Sequence, residues 1–141
     1  MTKFTLVGAM VLGESKANVT VEDGVITAIG TQVEGDVINV DGNVLLPGFV
    51  DLHTHLREPG FEQSETVLSG SRAAAAGGYT AVHAMANTHP VADTAGVVEQ
   101  VQALGVEAGY VQVQPIGAVT VGLEGKQLAE LGAMADSRAH V

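Results

Sequence analysis

The sequence predicts an α/β chain in two parts: a small antiparallel β unit over residues 1–45, then three β/α units opening a parallel barrel over residues 46–141. Three observations carry this reading. Short β-prone runs punctuated by Asp-Gly pairs fill the first part. Beyond Asn43, apolar strand-like runs alternate with helical patterns across short loops, which implies parallel strands with helical crossovers. The first strand-to-helix junction carries histidines, where a doubly wound nucleotide-binding sheet would carry G-x-G-x-x-G.

Residues 4–7 are a short β-prone run, and residues 18–22 alternate before Asp23-Gly24 and a second run at 25–29. That predicts a hairpin, because Asp and Gly tolerate the positive φ of a type I′ turn. Residues 37–40 with Asp41-Gly42 repeat the pattern. A unit this small is expected to pack on something else. From Val44 to Leu52 the chain is nearly continuously apolar apart from Pro47-Gly48, as expected of strands buried on both faces. A helix is predicted over 65–76, with Ser64 as N-cap and Gly77-Gly78 as its stop. Residues 79–85 read as the next strand. Asp93 or Thr94 then caps a helix with an apolar stripe of Val97, Val98, Val101 and Leu104. Residues 110–116 read as a third strand, and 126–135 as a third helix with Leu128 and Leu131 on one side. The alanines at 73–76 and the many glycines read as close packing of helix on barrel.

Composition narrows the function classes. A net charge of −10 with only six Lys and Arg disfavours nucleic acid and anionic membranes as partners. An anionic small molecule remains compatible, provided an Arg stands in the pocket. No run approaches the roughly 18 apolar residues of a membrane span, and no basic stretch precedes an apolar N-terminal core. The expectation is a cytoplasmic protein. With no cysteine, any zinc must be held by His and carboxylate.

The chemistry concentrates in residues 51–60. On a strand, alternate side chains share a face, so His53 and His55 point the same way and can converge on one metal ion. They stand at the C-terminal end of the first barrel strand, where such barrels place active sites. A bare His-x-His is a weak motif; its place at the end of an apolar strand, opening a β/α series, strengthens it. Arg57 continues the alternation if strand geometry persists, and its guanidinium suits a carboxylate. Its bland reading is a surface ion pair with Glu58. Asn87 ends the second strand, where an Asn is otherwise a turn residue. Asp51 has the parity of the histidines and reads equally as a partner orienting an imidazole or as structural. His83, His89 and His140 read as core or loop residues.

Leu46-Pro47-Gly48-Phe49-Val50-Asp51-Leu52-His53-Thr54-His55-Leu56-Arg57-Glu58-Pro59-Gly60 resembles the signature of dihydroorotases in the amidohydrolase superfamily. The resemblance continues, in order, through Gly77-Gly78-Tyr79-Thr80-Ala81-Val82, Met85-Ala86-Asn87-Thr88-His89-Pro90, Gly117-Ala118-Val119-Thr120 and Leu128-Ala129-Glu130-Leu131-Gly132. It implies the composite β-sandwich portion of that superfamily ahead of a (β/α)8 TIM-type barrel. It also implies a zinc-dependent interconversion of dihydroorotate and N-carbamoyl-L-aspartate in de novo pyrimidine biosynthesis. By the same resemblance, His53 and His55 match the first ligands of one or two Zn2+ ions. His55, Leu56, Arg57 and Asn87 match substrate-binding positions, Arg57 and Asn87 at the substrate carboxylate.

The family's bridging carboxylate, two further histidines and late aspartate, its general base, have no counterpart in this sequence, so no catalytic acid or base is assigned. A (β/α)8 barrel typically takes about 250 residues. The chain is therefore expected to be an N-terminal portion, inactive alone and prone to aggregate or pair through open strand edges. The full enzyme is expected to be a homo-oligomer, with aspartate transcarbamoylase as a candidate protein partner. Two alternatives stand beside this. A hydantoinase or allantoinase relative is disfavoured by Arg57, since a ring without a carboxylate leaves a buried guanidinium unpaired. A non-catalytic scaffold subunit of an aspartate transcarbamoylase assembly is disfavoured by the presence of both His53 and His55.

Overall fold

In the computed structural model, which describes residues 2–137, the chain divides into two units, Met1–Pro47 and Gly48–Val141. In the first unit, β1 (Lys3–Val11), β2 (Ser15–Glu22) and β3 (Val25–Gly30) form an antiparallel meander. Asp23 and Gly24 turn β2 into β3 with φ of +48° and +81°, as a type I′ turn requires. The next strands depart from the expected antiparallel pattern. Both β4 (Asp36–Asn39) and β5 (Val44–Leu45) pair with β1 in parallel. The second Asp-Gly pair therefore makes no hairpin; it turns the chain between two short strands on one edge of β1, on either side of a bulge at Gly8. Inside this sheet, the buried Thr5 hydroxyl lies 3.2 Å from Thr20 Oγ1, donates to Glu34 O at 2.7 Å and accepts from Glu34 N at 2.9 Å. A buried hydroxyl is tolerated because each of its bonds is made.

The second unit is a β/α series. Strands β6 (Phe49–Thr54), β7 (Tyr79–Ala84) and β8 (Gln112–Pro115) lie parallel in chain order, connected by α1 (Val67–Ala76) and α2 (Ala95–Ala108). This is the opening of a (β/α) barrel. Its core is aliphatic, as the scarcity of aromatics requires: Leu56, Val67, Val82, Ala84, Val101, Val111 and Val113 form one cluster, with Ala74, Ala75 and Leu104 against it. Ala86, Ala92, Val98, Ala118, Ala129 and Met134 form another. Of the predicted stripe, Val98 and Val101 are buried, and Val97 and Leu104 are half-buried. No helix among the described residues is long and apolar enough to cross a membrane.

Several boundaries differ from expectation for local reasons. Helix α1 is capped by Thr66 rather than Ser64: Thr66 Oγ1 accepts from Ser69 N, and Ser69 Oγ accepts from Thr66 N, a reciprocal capping box. Ser64 N and Glu65 N both bond Phe61 O, so that stretch is a turn. Thr94 holds the N-cap position of α2 without a side-chain bond, while Asp93 Oδ2 accepts from Gly122 N at 2.8 Å. The third helix is shorter and later than expected, α3 (Leu131–Asp136). Gly122 and Gly125, both at positive φ, fold residues 120–129 back on themselves, and Thr120 bridges Leu128 antiparallel. Leu128 and Leu131 are accordingly exposed, and the fully buried Met134 anchors α3 instead. Strand β6 is also not buried on both faces. It lies at the edge of the described three-stranded sheet, with Phe49 52%, Val50 53% and Leu52 69% exposed.

Gly105 is what lets α2 lie against β8, since a Cβ there would stand 2.4 Å from Val113 Cβ. Gly105→Ala is expected to destabilise by about 1–3 kcal/mol through overpacking, offset by up to about 1 kcal/mol of helix propensity. Urea unfolding should show a lowered midpoint, partly restored by adding Val113→Ala. An unchanged or raised midpoint would refute the close-packing argument.

Candidate metal site

All three parallel strands deliver their C-terminal ends into loops, and the site is built from the first two. His53 lies one residue before the end of β6 and His55 one residue past it. Their rings stand 5.2 Å apart between centroids with planes at 68°. Two imidazoles sharing a tetrahedral zinc at Zn–N distances of about 2.0–2.1 Å have centroids roughly 5 Å apart. The pair therefore fits a shared ion. No third His, Asp or Glu joins them in a metal-binding group among the described residues.

Simple alternation does not run through this segment. The β6–β7 register slips by one residue between Asp51, paired with Val82, and Thr54, paired with Ala84. That is a bulge, the device by which a strand re-aims side chains beside a site. Among the described residues, Asp51 makes no side-chain hydrogen bond to an imidazole. Its Oδ1 accepts from the His53 backbone N–H at 3.0 Å, inside the irregular stretch, and this bond is the first cause holding its carboxyl below the ordinary carboxylate range. Of the two roles expected of Asp51, this backbone bond is the structural one.

On the other side, His55 Nδ1 lies 2.8 Å from Asn87 Oδ1. An amide oxygen can only accept, so Nδ1 donates here, which in a neutral imidazole leaves the lone pair on Nε2. Sequence spacing gave no sign of this contact between residues 32 apart; only the β6–β7 register brings them together.

Arg57 is not on a continued strand. Its φ is +61°, and Glu58 N bonds Leu56 O at 2.8 Å across it, which makes a γ-turn of the rarer, positive-φ kind. Its side chain is exposed and forms no ion pair among the described residues. Glu58, the partner of the bland reading, is engaged elsewhere: its Oε2 accepts from Val67 N at 2.7 Å, capping the positive end of α1. Leu56 is only 3% exposed and belongs to the core, so any contact it offers a ligand must come from its backbone.

The two loops are joined. His89 N donates to Pro59 O at 2.9 Å, the Phe61 and His89 rings lie 6.4 Å apart, and a Cβ on Gly60 would stand 2.2 Å from His89 O. His89 thus ties the loops together. His83 is half-buried and lies level with Gln114 of β8. His140 falls outside the described residues.

The family model described as "Dihydro-orotase-like" matches residues 42–141. Among curated relatives, the dihydroorotase of Streptomyces coelicolor is 64% identical over 100% of this chain and 34% of its own length. That of Mycobacterium tuberculosis is 55% identical over 89% of this chain and 30% of its own. The chain thus spans about a third of the length of these relatives. Among solved structures, an L-hydantoinase from Arthrobacter aurescens superposes with a TM-score of 0.72 at 23% identity, over 85% of this chain and 28% of its own, a likeness of fold. A dihydropyrimidinase from Brevibacillus agri has a TM-score of 0.59 at 25% identity, over 85% of this chain and 27% of its own. With its matched residues covering both β/α junctions of the site, the chain belongs to the dihydro-orotase-like family.

Proposed function

We propose that this chain provides the first metal-ligand pair and the carboxylate clamp of a zinc-dependent dihydroorotase, which interconverts dihydroorotate and N-carbamoyl-L-aspartate. The single observation that carries the reading is the His53–His55 pair, set at the separation a shared tetrahedral ion requires, in a chain of this family. When bound, zinc would supply a Lewis acid and lower the pKa of a bound water to near neutrality. The remaining roles belong to the chain. His53 and His55 hold the ion. Arg57, free of any protein carboxylate among the described residues, takes the substrate carboxylate in a bidentate pair. Asn87 offers a second contact to the same group.

A guanidinium in no ion pair among the described residues gives a carboxylate-bearing substrate a bidentate partner that a ring lacking a carboxylate cannot use. Catalytic zinc sites usually take three protein ligands, so the reading calls for at least one ligand and a general base from polypeptide beyond the described residues. It places the protein in pyrimidine synthesis and makes residues 1–45 and 46–141 parts of a β-sandwich and a barrel.

Three outcomes test it. In the intact protein, His53→Ala and His55→Ala should each abolish stoichiometric zinc, read by elemental analysis after dialysis; full zinc retention in both would overturn the site. Arg57→Met should raise the KM for dihydroorotate at least about tenfold, the equivalent of a charge-assisted pair of about 1.5–3 kcal/mol, with zinc content unchanged. A KM within twofold would remove Arg57 from the substrate. The 141-residue polypeptide on its own should show no turnover; hydrolysis by it, with complementing fragments excluded, would contradict the requirement for further ligands.

A further inference from the structure

We propose that Asn87 is a positioning residue for the metal ligand His55, and that one amide couples this ligand to the substrate carboxylate. The inference rests on the function proposed above and adds to it a contact on the ligand side. The His55 Nδ1–Asn87 Oδ1 separation of 2.8 Å is a full hydrogen bond. An imidazole that donates through Nδ1 presents its lone pair at Nε2, and outer partners of this kind fix both tautomer and ring orientation. His53 has no such side-chain partner among the described residues; the bond in its region is the one from its backbone N–H to Asp51. The two ligands are thus held by different means, one through the main chain of a bulge and the other through its own ring.

The second half of the inference comes from what Asn87 leaves unused. Oδ1 is its only side-chain atom with a partner among the described residues, and neither Nδ2 hydrogen has an acceptor among them. Asn87 is exposed and lies in the loop after β7 that His89 N ties to Pro59 O, while Arg57 lies two residues before Pro59 in the other loop. An amide that accepts from the ligand with its oxygen can donate to an anion with its nitrogen. Binding of a carboxylate polarises that amide and strengthens its acceptance from His55. Substrate occupancy and the basicity of the metal ligand are then linked through a single side chain.

Two variants separate these roles. Aspartate keeps an acceptor for Nδ1–H but replaces the donor with a negative charge, whereas alanine removes both. The first readout needs no metal: 15N–1H correlation of the imidazoles in the metal-free intact protein at about pH 8.5, where free imidazoles are neutral. His55 should be the Nδ1–H tautomer in the parent and in Asn87→Asp, and should populate both tautomers in Asn87→Ala. The second readout is zinc affinity without substrate, by chelator competition. Asn87→Ala should bind zinc about 10–100-fold more weakly, and Asn87→Asp within about threefold of the parent. The KM for dihydroorotate should rise in both variants.

An Nε2–H tautomer in the parent would overturn the proposal. So would an Asn87→Ala protein with unchanged tautomer and zinc affinity and only a raised KM, because Asn87 would then serve the substrate alone. A parent protein that binds no zinc yet holds the Nδ1–H tautomer would sink the proposed function while leaving the positioning bond intact.

Discussion

The hydrogen bond from Met85 N to Thr54 O, 2.8 Å long, carries the β6–β7 ladder to the point where both strands become loops. It levels the exits of the two strands, and everything at the site is measured from that level. Because the strands are parallel, their C-terminal ends emerge on one side, and His55 can reach Asn87 across a gap of 32 residues in sequence. An antiparallel pair would have set those ends at opposite edges of the sheet. Core packing maintains the level from beneath: Leu56 just beyond β6, Val82 and Ala84 on β7 and Val113 on β8 share one cluster under the loops. Close packing of α2 on β8 at Gly105 holds the same layer from the helix side. The chemistry of the loops is therefore set by an aliphatic layer that takes no direct part in it.

The β/α rhythm was legible because short strand-like runs alternate with helical stretches across turn residues, and α2 carries an apolar stripe, patterns that local physics and tertiary packing agree on. The His53–His55 pair was legible for the same reason, since it ends such a run. What escaped the sequence depended on partners far along the chain. The cap of α1 moved to Thr66 because Ser69 reciprocates, while residues near Ser64 were drawn into a turn on Phe61. The third helix retreated because two glycines allowed the segment ahead of it to fold back, a choice that helical periodicity cannot register. Parallel addition of β4 and β5 to β1 was hidden by an Asp-Gly pair that resembles a hairpin signal. At the site, alternation failed where a bulge and a positive φ interrupt the strand, at Asp51–Thr54 and at Arg57. Functional sites are where such irregularity is expected.

The exposed apolar side chains of β6 bear on the same architecture. Val50 and Leu52, each more than half exposed, occupy a strand that borders only β7 among the described residues. A closed barrel pairs every strand on two sides and fills its interior with such side chains. The dihydroorotases that this chain resembles are about three times its length, room enough for the strands that closure requires.

Glu58 has a consequence for how the site counts charge. By accepting from Val67 N, its carboxylate answers the positive end of α1 and simultaneously withdraws from its neighbour Arg57. The helix terminus is then no longer available to an incoming anion, and the guanidinium is. Within the proposed reaction, ring opening converts a monocarboxylate into a dicarboxylate, and only one carboxylate is common to both. Among the described residues the two loops offer one cation outside any ion pair, Arg57, and under the proposed function it is matched to that shared group. Under that proposal Arg57 would hold reactant and product by the same handle in either direction, leaving the charge that appears on ring opening to be met elsewhere.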